Sequence, residues 1–140
     1  MQLVVHELDT ALKQAVTPTK VTRVAAIRPH LYVHGAPSGS LTLNVLNATG
    51  DLVASSEPVL ISNIPSTGYY HGYIAFDISC HLQANTEYNI ELTGSGYTYA
   101  DSAFVGWCNT FDFNGYPEGY TPTGDLTLPL DLQIWERTNK

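Results

Sequence analysis

Residues 40–46, Ser-Leu-Thr-Leu-Asn-Val-Leu, set Leu41, Leu43 and Val45 two positions apart with polar residues between them. That period suits an extended strand with one buried face, because a helix would scatter the three side chains around its circumference. The pattern returns at 87–92, where Tyr88, Ile90 and Leu92 oppose Glu87, Asn89 and Glu91. It returns again at 130–135, where Leu130, Leu132 and Ile134 oppose Asp131, Gln133 and Trp135. Residues 20–33 read as one long or bent strand, with Pro29 at an edge or at a break between two strands, since proline has no N–H for a ladder. Residues 47–51, Asn-Ala-Thr-Gly-Asp, signal a hairpin that returns through 52–55. Further strands are expected at 58–64, 69–78 and 102–108, with a loop over 81–86. In 69–78, Tyr70, Ile74, Phe76 and Ile78 share one face and Tyr69, Tyr73 and Ala75 the other.

These segments number about eight, without a helical repeat, and predict an all-β, jelly-roll-like antiparallel β-sandwich. The one candidate helix is 8–15, where Leu8, Leu12 and Ala15 would share a face, although it is short and soon meets Thr17-Pro18. At 140 residues the chain suits a single domain over 1–140 with a short N-terminal arm. The composition agrees with strands. Charged residues are only 14% of the chain, and nine tyrosines are present.

Six basic residues against thirteen acidic ones leave a formal net charge of −7, so the overall field repels phosphate backbones and nucleic acid is not an expected partner. No run approaches the ~20 apolar residues that span a bilayer, so no membrane partner is expected. His6, Glu7 and Asp9 interrupt the opening apolar residues before a signal-peptide core forms. Cys80 and Cys108 match no CxxC pattern and are expected as free, mostly buried thiols.

The elements of catalysis are missing from this sequence. His30 and His34 would share a strand face, but Pro29 and Gly35 disturb the geometry that a zinc pair needs, and they read as surface histidines. His6-Glu7 has no downstream histidine at zincin spacing, no GxSxG elbow is present, and no glycine-rich loop precedes Lys-Ser or Lys-Thr. The expectation is a non-enzymatic protein without a cofactor or assigned metal ligands. Asn47-Ala48-Thr49 fits a glycosylation sequon but serves better as the hairpin turn.

Aromatic residues are the more informative signal. Tyr97, Tyr99, Phe104, Trp107, Phe111, Phe113, Tyr116 and Tyr120 crowd one stretch, interleaved with Asn109, Asp112, Asn114 and Glu118. Subunit interfaces use such rings as low-entropy anchors, and sugar sites set them against pyranose C–H groups with Asn, Asp and Glu as hydroxyl partners. The candidate contact residues are Tyr97, Tyr99, Trp107, Phe111, Phe113, Tyr116 and Tyr120, with Trp107, Tyr116 and Tyr120 as the sugar platforms. A plainer reading makes Phe104 and Trp107 core residues and the tyrosines a loop rim.

The Thr17-Pro18 entry, the hairpin through 41–54 and the Leu82-Gln83-Ala84-Asn85-Thr86-Glu87-Tyr88 approach to a late strand resemble jelly-roll modules of bacteriophage virion proteins and of carbohydrate-binding modules. Phe104-Val105-Gly106-Trp107-Cys108 and the terminal Leu130-Asp131-Leu132-Gln133-Ile134-Trp135 are similar to phage structural proteins. The resemblance covers most of the chain and brings no ligand residues with it. It implies a virion structural protein, such as a capsid decoration, fibre or tail component, assembled in the host cytoplasm. Its partners would be sister copies or other virion proteins, with glycan binding as the alternative.

Overall fold

In the computed structural model of the chain, residues 5–64, 71–108, 120–123, 130 and 132–136 are described. They form an all-β sandwich of two antiparallel sheets. The strands are β1 (Val5–Glu7), β2 (Ala11–Pro18), β3 (Thr22–His34), β4 (Ser40–Asn47), β5 (Leu52–Ser55) and β6 (Val59–Leu60). They continue as β7 (His71–Tyr73), β8 (Phe76–Leu82), β9 (Tyr88–Ser95), β10 (Phe104–Cys108), β11 (Tyr120–Thr123) and β12 (Leu132–Glu136). The first sheet holds β1, β3, β7, β8, β10 and β12. The second holds β2, β4, β5, β6, β9 and β11.

Among the described residues there are twelve strand segments where about eight were expected: β1, β2 and β11 fall where no strand was expected, and the strand expected at 69–78 is divided into β7 and β8. β7 and β8 run as one broken strand along the same edge of β3, pairing His71–Tyr73 with residues 30–32 and Phe76–Leu82 with residues 22–27. β10 and β12 share the other edge of β3, at residues 31–34 and 24–29. Pro29 stands where the partners change on both edges, and its carbonyl accepts a 3.1 Å hydrogen bond from the Ile74 N–H in the gap between β7 and β8. The break expected at this proline is a change of partners inside one continuous strand.

Residues 8–15 do not form a helix: residues 11–15 lie in β2, which pairs with β9 from Ala11↔Thr93 to Val16↔Tyr88. The inward face of β2 carries Gln14 between apolar residues, and that polar member hides the period of two. Gln14 is buried with its amide oxygen accepting the Leu130 N–H at 2.8 Å and its amide nitrogen donating to the Ala15 carbonyl at 2.9 Å. The segment 58–64 also departs from expectation, since β6 gives way to a 3-10 turn at Ile61–Asn63. His81 and Leu82 belong to β8, so the loop begins two residues later, at Gln83. β11 lies inside 109–129, where no strand was expected, and Pro122 occupies this outermost strand of the second sheet, a position that tolerates a missing N–H.

The core fills the space between the sheets. Trp107 and Phe76 are its largest completely buried side chains, packed with Leu8, Ile27, Leu31, Leu43, Ile90 and Leu132 among others. Each such side chain contributes about 1.5–3 kcal/mol by leaving water. Phe76 and Ile78 point inward and Tyr73 belongs to the outer row described below, as the alternation in 69–78 requires; Tyr69 and Tyr70 lie outside the described residues. The 47–51 hairpin is closed by the Asn47 side-chain oxygen, which accepts from the N–H groups of Thr49 and Asp51.

Two glycines at turns give a direct test of this packing. Gly39 (φ +102°) would place an added Cβ 2.5 Å from the Ser95 carbonyl oxygen, whereas Gly50 (φ +91°) has nothing within 4 Å. Gly50→Ala should cost only the backbone strain of a positive φ, about 1 kcal/mol. Gly39→Ala should cost clearly more in the same urea titration, and equal costs would contradict the close approach of the 35–39 loop to the end of β9.

Candidate functional site

The aromatic residues that lie close together in sequence separate in space. Trp107 points inward from β10 and is completely buried, so it is a core residue and offers no ring face to a sugar or a partner. The plainer reading of Trp107 is the correct one. Phe111, Phe113 and Tyr116 lie outside the described residues. Tyr120 begins β11, which pairs with β2 in the second sheet, opposite Pro18, and so lies in the sheet across from β10. The chain crosses between sheets within this stretch, which is why neighbours in sequence do not share a surface.

Tyr97 is a structural tie. Its hydroxyl donates to the Leu8 carbonyl at 2.7 Å and accepts from the Val105 N–H at 3.0 Å, joining the point where the chain leaves β1 to the middle of β10. Burial pushes its pKa up, the hydrogen bond from Val105 works against this, and Asp9 and Glu7 add to the rise. Tyr99 lies nearer the surface, where the carboxylates of Glu7 and then Asp101 push its phenol up; the hydrogen bond to Asp101 is 2.8 Å.

The surface that does gather rings is the outer face of the first sheet, along β3. Leu31 and Val33 point into the core, so Arg28, His30, Tyr32 and His34 alternate outward. At one end Arg28 lies over the Trp135 indole, 4.6 Å from the ring centroid, and Trp135 is 52% exposed. Next, His30 stacks on Tyr73 at 4.9 Å. Tyr32 and His34 stand nearly parallel at 6.3 Å, and both approach Phe104, which in turn touches Tyr99 at 5.7 Å. Trp135 pairs with Ala26 and Phe104 with His34, so the row covers eight residue steps, about 26 Å at ~3.3 Å per residue. Of the sequence candidates whose side chains are described, only Tyr99 joins this row, at its acidic end. The signal for the rest was the alternation of His30, Tyr32 and His34 with Leu31 and Val33.

His30 and His34 share a face, as their spacing allows, but each packs on an aromatic ring, and Tyr32 stands between them. Among the described residues no group of three or more His, Cys, Asp or Glu side chains is arranged to hold a metal ion. Burial pushes the thiol of the half-buried Cys80 up, and Cys108 is fully buried. No protein-family model matches the chain, and no curated protein matches it in sequence.

Tyr97→Phe keeps the ring and removes both hydrogen bonds, leaving two backbone groups unpaired, and should destabilise the fold by about 1–3 kcal/mol. The folded-state pKa of Tyr97 lies above the ordinary value of ~10, so its contribution is present below about pH 10 and is lost as pH rises through the folded-state value. Thermal melts from pH 7 to 11 should therefore show the wild type and the variant converging at the alkaline end. Coincident melts at pH 7 would show that the tie adds no stability.

Proposed function

We propose that this protein is a non-enzymatic assembly module, a virion structural subunit of the decoration, fibre or tail kind, that joins sister copies through an open edge of its second sheet. The observation that carries the reading is the edge formed by β5 and β6. Both strands pair only with β4, and among the described residues nothing pairs with their other side. Leu52 is 62% exposed, Val53 41% and Leu60 55%, an apolar series on a strand edge of the kind that monomeric proteins blunt with charge or cover. Beside Leu60 opens a groove of about 480 Å³ lined by Val33, Ala36, Pro37 and Ile61, a size that accepts an apolar side chain from a neighbour. The virion setting rests on the resemblance of the strand grammar to phage structural proteins.

Strand addition at this edge predicts association that rises with concentration. The double variant Leu52→Lys, Leu60→Lys should weaken it about tenfold or more in sedimentation velocity, with an unchanged circular dichroism spectrum. A wild-type chain that sediments as a monomer at every concentration would overturn the reading.

A second reading, glycan recognition, is supported by the aromatic row on the opposite sheet, because pyranose rings pack on such faces. The two are compatible, since they use different surfaces. Saturable binding on a glycan array that Trp135→Ala weakens is the expected result; a row with no glycan ligand would remove this second reading alone.

A further inference from the structure

We infer that Arg28 forms an anion subsite at the Trp135 end of the aromatic row, so that the glycans taken by this face are acidic ones whose carboxylate pairs with the guanidinium. The inference rests on the glycan reading and adds the chemical class of the ligand.

The chain has thirteen acidic residues against six basic ones, so a carboxylate partner for any arginine is easily found. Lys13 pairs with Glu91 at 3.8 Å and Lys20 with Glu136 at 3.6 Å. Arg28 makes no ion pair with a described residue, and its Nε is buried without any hydrogen-bond partner. Asp77 stands in the same row across the sheet as Ala26 and Trp135, and it too leaves Arg28 unpaired. A half-buried guanidinium loses hydration, and a face-on indole restores only part of it. The buried Nε is out of a ligand's reach, so a ligand carboxylate would meet the two terminal Nη groups in two-point contact, an interaction that no described residue gives this arginine.

The surroundings suit a sugar acid better than an acidic peptide. Trp135 presents an exposed ring beside the cation, and Gln133, opposite Arg28 in the register, carries an amide able to meet hydroxyl groups. His30 and Tyr73 continue the row two residues further along β3, roughly 6.6 Å away. At the far end, Glu7 and Asp101 flank Tyr99. Arg28 is the row's cation at the Trp135 end, with the exposed Asp77 nearby, and carboxylates flank Tyr99 at the other, so a chain bearing an acidic residue is oriented toward Arg28. The net charge of −7 repels polyanions at long range, so recognition depends on this local pairing and not on a general basic surface.

The test is calorimetric titration of the full chain with oligogalacturonate, alginate, hyaluronan and oligosialate, each beside its carboxyl-reduced neutral form, with polyglutamate as the peptide polyanion. Binding of at least one acidic oligosaccharide is expected, about tenfold or more tighter than its reduced form. Arg28→Gln should remove that preference and Arg28→Lys should keep part of it. Arg23→Gln, which changes an exposed charge on the same strand, should leave it unchanged. Equal binding of acidic and reduced forms would overturn the anion subsite and leave the glycan reading standing. Binding of neutral glycans elsewhere on the array, with none of the acidic ones taken, would do the same. Polyglutamate bound as tightly as the sugars, or an equal loss with Arg23→Gln, would overturn the inference in favour of simple charge attraction. No binding of any glycan would end both the inference and the reading beneath it.

Discussion

Burial of one side of β3 is the constraint on which the rest of the structure depends. Val24, Ile27, Leu31 and Val33 are essentially removed from water on the inner side of this thirteen-residue strand, and their burial holds the first sheet against the second. Four strands hydrogen-bond to it, two on each edge, and the partners change around Pro29. A proline inside a central strand would ordinarily cost a ladder bond. Here it lies where neither edge needs a continuous partner, so the loss is small and the strand stays long enough to organise the whole sheet.

The outer side of β3 follows from the inner side. Once Leu31 and Val33 are committed to the core, strand stereochemistry sends His30, Tyr32 and His34 to the other face, where Phe104, Tyr73 and Tyr99 close around them. The same commitment leaves Arg28 on Trp135. A ring-lined face on one sheet and, among the described residues, an unpaired apolar edge on the other are separate consequences of the sandwich. The proposed assembly and ligand roles therefore fall on different surfaces.

Much of the fold was legible because its signals are local. The alternation in 40–46 and 87–92 names the inward residues of β4 and β9, and Leu41, Leu43, Val45, Ile90 and Leu92 are all buried. The Asn47 turn was legible for the same reason, since its hydrogen bonds lie within five residues. The strand β2 was harder to read, because the partner that satisfies Gln14 is Leu130, far along the chain. The aromatic candidates were harder still. Density of tyrosine and tryptophan in 97–120 says nothing of which sheet each residue enters, and Trp107 and Tyr120 enter different ones.

The sequence by itself determined which segments are extended and which side of each is apolar, because side-chain direction in a strand is set by the covalent geometry of adjacent residues. Only the tertiary structure decided that Tyr97 ties Leu8 to Val105, that Trp107 is core, and that Arg28 rests on Trp135 without an ion pair to any described carboxylate. These outcomes depend on pairings between strands distant in sequence. No local rule fixes such pairings; they come from the one arrangement that buries all the apolar faces together.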